Sequence, residues 1–175
     1  SNLSLSSPTI NRYVDLLADL LLIRKLPAWH SNSKKRLVKS PKVYLRDSGL
    51  MHHLLGINDE DALLSHPVLG ASWEGFVIEN VLSIASSLCN AYFYRSQAGA
   101  EIDLLLELPD KKIWAIEIKR SSAPVLSRGF YQACEDIQPE KRFVIYNGEE
   151  QYPMKENITA IGLKGIMELV IAECN

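Results

Sequence analysis

The sequence predicts an α/β fold, a sheet flanked by helices, preceded by a smaller helix-and-hairpin region. Three observations carry this. Helical apolar spacing and strand-like runs alternate along residues 73–172. Residues 6–45 read instead as one helix followed by two strands around a polar, basic loop. The acidic, polar stretch 58–67 separates the two patterns and reads as a linker.

The first helix starts at Ser6-Ser7-Pro8-Thr9, a serine cap followed by proline where its missing N–H costs nothing. Ile10, Tyr13, Val14, Leu17 and Leu21 then recur at helical spacing, with Asn11, Arg12, Asp15 and Asp19 opposite. Strands are expected over 22–29 and 37–45. The loop between them carries Lys34, Lys35 and Arg36, with Lys39 and Lys42 nearby. A helix followed by a hairpin with a basic tip is the outline of a winged helix, here partial. A complete one needs one or two helices before Ser6, so the chain is expected to begin inside a domain. A short helix over 47–55 ends at Gly56. The predicted division is a partial winged-helix region over 1–57, the linker over 58–67 and a second domain over 68–175.

In that second domain a helix spans 73–88, with Val77, Val81, Ile84 and Leu88 on one stripe. A strand at 92–95, a turn at 96–99 and strands at 101–108 and 113–119 follow. Residues 109–112 close the last two into a hairpin. A helix over 126–137, strands at 142–146 and 158–163, and a helix over 165–172 complete the order.

Composition narrows the function classes. The chain has 175 residues, 47% of them hydrophobic and 23% charged, as folded domains do. No run of about 18 apolar residues suggests a membrane span, and no basic-then-apolar leader opens the chain. Cys89, Cys134 and Cys174 are widely spaced and odd in number, so they read as thiols of a reducing cytosol. The net charge of −2 conceals an asymmetry. Through His53 there are nine Lys/Arg against three Asp/Glu, and thereafter ten against eighteen. A basic end suits a polyanion or an acidic partner domain.

The chemistry concentrates in Glu101-Ile102-Asp103 and Glu117-Ile118-Lys119. Alternation along a strand puts Glu101 with Asp103 on one face, and Glu117 with Lys119 on one face of the next. Hairpin pairing brings Asp103 toward Glu117. Two carboxylates at close range repel unless a cation lies between them, and hard oxygens suit Mg²⁺ or Mn²⁺. Lys119 is then placed to orient water or to stabilise a phosphate. The plainer reading is solvation of a half-exposed hairpin. Glu79 on the preceding helix offers a third carboxylate, and Gln132 on the later helix a contact to phosphate or base. His52 and His53 lack companions at ligand spacing. Trp29, Trp73 and Trp114 read as core anchors. No Ser or Cys nucleophile has a supporting His–Asp arrangement.

Glu79, the run Arg95 to Asp103, and Ala115-Ile116-Glu117-Ile118-Lys119 resemble the PD-(D/E)xK nuclease superfamily, with Ile102 where proline precedes the aspartate. The resemblance implies a restriction-endonuclease-like mixed sheet flanked by helices. It also implies an active site of Glu79, Asp103, Glu117 and Lys119 around a magnesium ion held by Asp103, Glu117 and Glu79. A longer match runs through Ser7-Pro8-Thr9-Ile10, Lys39 to Leu50, and Trp73-Glu74-Gly75-Phe76-Val77-Ile78-Glu79-Asn80. It resembles the C-terminal DUF4143 region of prokaryotic AAA-type ATPases. That implies an N-terminal P-loop ATPase domain in the same cytoplasmic protein; no Gly-x-x-x-x-Gly-Lys-Ser/Thr occurs here, so this chain is not expected to bind ATP by a P-loop.

Two functions are expected from different classes. One is Mg²⁺-dependent phosphodiester hydrolysis of nucleic acid, DNA first, with Arg12, Lys34, Lys35, Arg36 and Gln132 contacting it. The other is a non-catalytic nucleic-acid-binding or docking module that regulates the attached ATPase.

Overall fold

The computed structural model describes residues 6–30, 36–85 and 87–174. Its centre is a six-stranded mixed sheet in the order β3-β4-β5-β6-β8-β7. The strands are β3 (Asn90–Arg95), β4 (Glu101–Glu107), β5 (Ile113–Ile118), β6 (Lys141–Tyr146), β7 (Tyr152–Met154) and β8 (Ile158–Gly162). β4 is antiparallel to both β3 and β5, β6 and β8 continue parallel to β5, and β7 returns antiparallel. The hairpin pairs β1 (Ile23–Leu26) with β2 (Lys42–Leu45) as a separate two-stranded sheet.

Helices cover both faces of the large sheet. α4 (Leu69–Ile84) and α6 (Leu163–Cys174) pack Val77, Ile78, Val81, Ile166 and Val170 against Leu104, Leu106, Trp114 and Ile116. On the other face α5 (Arg128–Ile137) packs Phe130, Ala133 and Cys134 against Ile102, Leu105, Ala115 and Val144. The central strands are buried on both sides, so β4 and β5 read as apolar runs rather than alternations.

Side-chain caps set the smaller helices. Ser6 caps α1 (Ser7–Asp19), Asp47 caps α2 (Ser48–Leu54), and Ser127 caps α5, each accepting from an N–H three residues on. The stretch predicted as a linker holds α3 (Glu60–Ser65), capped by Asp59 and with Glu60 and Asp61 in its first turn. Its polarity reflects a surface helix and its cap rather than a spacer. The apolar stripe of α1 is not core: Ile10, Tyr13, Leu16 and Leu17 are all exposed.

The hairpin is not a separate body. Leu26 and Ala28 are buried in the same core as Val77 and Phe93. Its arms run along the outer side of β3. Trp29 N donates to Phe93 O at 2.7 Å, Phe93 N to Pro27 O at 3.0 Å, and Val38 N to Arg95 O at 2.9 Å. Of the tryptophans, Trp114 is fully buried, while Trp29 and Trp73 lie at the margins of the core.

The cysteines require a correction. Cys89 and Cys174 form a disulfide that ties the start of β3 to the end of α6, across 85 residues of sequence. Only Cys134 is a free thiol, and burial pushes its pKa up to about 12. Wide spacing along the chain concealed a pair that the sheet and α6 bring together.

Gly129, in the first turn of α5, lies so close to the turn before β4 that an added Cβ would stand 2.5 Å from the Gly99 carbonyl oxygen. Gly129→Ala is expected to displace α5 from that turn and to lower stability by about 1–3 kcal/mol, measured by urea denaturation.

Candidate functional site

The site forms where β4, β5, α4 and the hairpin meet. β4 is irregular there. Tyr92 pairs with Leu105 and Tyr94 with Ile102, so two β4 residues, Asp103 and Leu104, stand opposite the single residue Phe93. This is a β-bulge, and it shifts the side-chain alternation. Ile102 packs on the α5 face while Leu104 packs on the α4 face, although residues two apart should share a face. The bulge frees Asp103 from regular pairing with β5, whose register with β4 begins at Leu104–Ile116. Asp103 Oδ2 instead accepts the backbone N–H of Ile118 at 3.0 Å.

Asp103 is 8% exposed and Glu117 5%. Burial, and then the charge of Glu74, holds the Asp103 carboxyl above its ordinary range. Burial, and then the Asp103 charge, pushes Glu117 up to about 7. Lys119 Nζ donates to Glu117 Oε1 at 2.8 Å. Burial pulls the Lys119 pKa down, but the bond to Glu117 and the surrounding carboxylates leave it raised. Glu117 Oε2 is buried and, among the described residues, has no hydrogen-bond partner.

Glu74 and Tyr44, to which the sequence reading gave no site role, complete the cluster with Lys42, which it grouped with the basic hairpin loop. Lys42, the first residue of β2, reaches Glu74 Oε1 at 2.9 Å, Glu101 Oε1 at 3.1 Å and Asp103 Oδ1 at 3.4 Å. Tyr44 donates its hydroxyl to the same Glu74 oxygen at 2.5 Å. Lys42 and Tyr44 are two apart on one strand and so share a face, a signal present in the sequence. Arg95 holds Glu101 from the outside at 2.6 Å.

The predicted residues divide accordingly. Asp103, Glu117 and Lys119 come together, and Glu101 joins them through Lys42. Glu79 is held elsewhere, by Arg24 at 2.5 Å and Arg46 at 2.6 Å. Although burial raises the Glu79 pKa, its hydrogen bonds to the two arginines bring it below the ordinary value. The α4 carboxylate that shares a partner with Asp103 is Glu74, not Glu79. Arg12 on α1, Arg36 after the hairpin loop and Gln132 on α5 are exposed. Lys34 and Lys35 lie outside the described residues. His52 bonds Ser72 Oγ at 2.7 Å and stands apart from the cluster's contacts.

Among the described residues, no three His, Cys, Asp or Glu side chains are arranged to hold a metal ion. Asp103 and Glu117 nevertheless suit a hard cation as a two-carboxylate set, because Mg²⁺ keeps several waters and needs only one or two protein carboxylates. The orphaned Glu117 Oε2 is the atom that fits such a ligand.

The raised Glu117 has a defined effect on stability. Its folded pKa of about 7 lies above the ordinary 4.5, so the folded state holds its proton more tightly than the unfolded state does. The resulting stabilisation is full below about 4.5 and is lost as pH rises through about 7. Glu117→Gln is expected to flatten the fall in melting temperature across that window. A fall as steep as in the unaltered protein would exclude Glu117 as its source.

Comparison with known proteins places these residues in a family. Uncharacterized proteins of Mycobacterium bovis and Mycobacterium tuberculosis are each 41% identical to this chain over 160 residues, which is 91% of this chain and 36% of the relative. The chain thus spans about a third of the length of these curated relatives. No solved structure matches. Among the described residues, no helix is long and apolar enough to cross a membrane. A second domain of unknown function, DUF8612, matches residues 1–61. The model of the domain of unknown function DUF4143 matches residues 69–166, which hold α4, the bulged strand and the carboxylate hairpin, and the chain belongs to that family.

Proposed function

We propose that this chain is a nuclease-like module whose Asp103, Glu117 and Lys119 carry out Mg²⁺- or Mn²⁺-dependent hydrolysis of a phosphodiester in nucleic acid. The observation that carries the reading is the buried, unpartnered Glu117 Oε2 beside Asp103, with Lys119 fixed 2.8 Å from the other Glu117 oxygen. A buried carboxylate oxygen with no donor is costly unless a ligand satisfies it. The element order from α4 through β3, β4, β5 and α5 to β6 supports a restriction-endonuclease-like core, and the β1–β2 hairpin after α1 a partial winged helix.

Asp103 and Glu117 would hold the metal as a two-carboxylate set, with waters filling its remaining positions. When bound, the metal supplies acidity to water and charge neutralisation at the phosphate. Asp103 is kept in place by the Ile118 N–H, so its free oxygen keeps a fixed direction. Lys119 is one-third exposed and has donors left beyond its bond to Glu117, so it stabilises negative charge developing on the phosphate. Arg12, Lys34, Lys35 and Arg36 would neutralise backbone phosphates, and Gln132 would add a contact from α5. The longer relatives leave room for an ATPase domain, which we assign as the partner within the full-length cytoplasmic protein.

One observation favours the second reading, a module that binds nucleic acid or docks on the ATPase without cleaving. Lys42 already sits among three carboxylates.

Incubation with branched, single-stranded and duplex substrates separates the readings. Cleavage is expected with Mg²⁺ or Mn²⁺ and is lost with a chelator. Asp103→Asn and Lys119→Ala should each lower it by about a hundredfold or more. Failure to cleave any of these substrates overturns the hydrolase. Neutralising Lys34, Lys35 and Arg36 together should weaken binding and reduce its salt dependence by about three phosphate contacts. Unchanged affinity and salt slope would remove the basic loop from the interface.

A further inference from the structure

We propose that Lys42 is a built-in counter-cation: it holds the place of a divalent metal in the carboxylate cluster, and metal enters only when the β1–β2 hairpin releases it. This rests on the metal-site reading above and adds a gate to it.

Three carboxylates from two elements converge on one ammonium. Lys42 Nζ lies 2.9 Å from Glu74 of α4, and 3.1 Å and 3.4 Å from Glu101 and Asp103 of β4. An ammonium has three donors and no acceptor, so three carboxylate partners use its full capacity. The Lys42 side chain is only 17% exposed, and Nζ lies 5.6 Å from the Phe93 ring centroid. A metal bound by Asp103 would therefore face a second positive charge at close range in a poorly solvated site. The independent sign of a further ligand is Glu117. It is 5% exposed, and among the described residues its Oε2 finds no donor, although Lys119 binds the other oxygen of the same carboxylate.

The mount of Lys42 suits release. Its neighbour across the hairpin is Leu26, buried in the core, so one strand is anchored by apolar contact. The polar contacts between the hairpin side and α4 are exchangeable ion pairs and hydrogen bonds. Tyr44 and Lys42 bind Glu74, and Arg24 and Arg46 bind Glu79. Release thus breaks hydrogen bonds that water, or an arriving polyanion, replaces.

Isothermal titration of the full chain with MnCl₂ tests this directly. Lys42→Met keeps the bulk beside Phe93 and removes the charge. It is expected to bind one Mn²⁺ at least about tenfold more tightly than the unaltered chain. Adding Asp103→Asn to it should abolish that binding. Unchanged, weaker or absent Mn²⁺ binding in folded Lys42→Met overturns the proposal. A second measurement needs no variant. Saturating Mn²⁺ should speed hydrogen exchange of the β2 amides in the unaltered chain, whereas equal or slower exchange overturns the gate. Tighter Mn²⁺ binding by Lys42→Met with no cleavage of nucleic acid retains the gate and removes the hydrolase.

Discussion

Carboxylates buried side by side must be given positive charge, and the arrangement of this molecule follows from that constraint. Asp103 and Glu117 are nearly sealed from water, and burial first, then a neighbouring carboxylate, raises the proton affinity of each. An isolated carboxylate at such a depth would be neutral or unfolded. The chain supplies cations from two directions. Lys119 comes two residues after Glu117, and Lys42 from the hairpin 61 residues before Asp103. Burial works against both ammonium groups, but the surrounding carboxylates outweigh it and raise both pKa values. The first region of the chain is therefore part of the site, and the charge asymmetry between the basic start and the acidic remainder has a structural use.

The bulge in β4 makes this possible without breaking the core. A regular strand would carry Ile102 and Leu104 on one face. The extra residue sends them to opposite faces, where each fills a different hydrophobic layer. Asp103 is left at the crossover, and the Ile118 N–H that would otherwise lack a strand partner goes to its carboxylate. The local irregularity thus satisfies a buried donor and aims a carboxylate with one inserted residue.

Much of this was legible in the sequence where the interaction is local. The Ser6 cap, the Asp103–Glu117 hairpin and the Glu117–Lys119 pair depend on neighbours within a few residues or one turn. The alternation of β and α elements likewise gave a mixed sheet flanked by helices. What sequence could not show depends on distant partners. Glu79 and Glu74 lie on the same helix, and the choice between them is made by Arg24, Arg46 and Lys42 from the hairpin. The bulge is defined only relative to β3. Cys89 and Cys174 become neighbours through the packing of α6 along the sheet. Residues 58–67, expected as a linker, hold the short helix α3, because a capped surface helix and a linker use the same polar residues.

The ends of the sheet bear on how this protein can associate. An open edge strand offers unpaired N–H and C=O groups to any extended chain. Here β3 has its outer side occupied by residues 27–29 and 36–38, which form bridges at Ala28–Phe93 and Leu37–Ser96. At the far end, β7 is three residues long and has Pro153, with no N–H, at its centre. Neither border is a good template for strand addition. Self-assembly by sheet extension is thereby disfavoured, and recruitment of other chains falls to helical and loop surfaces.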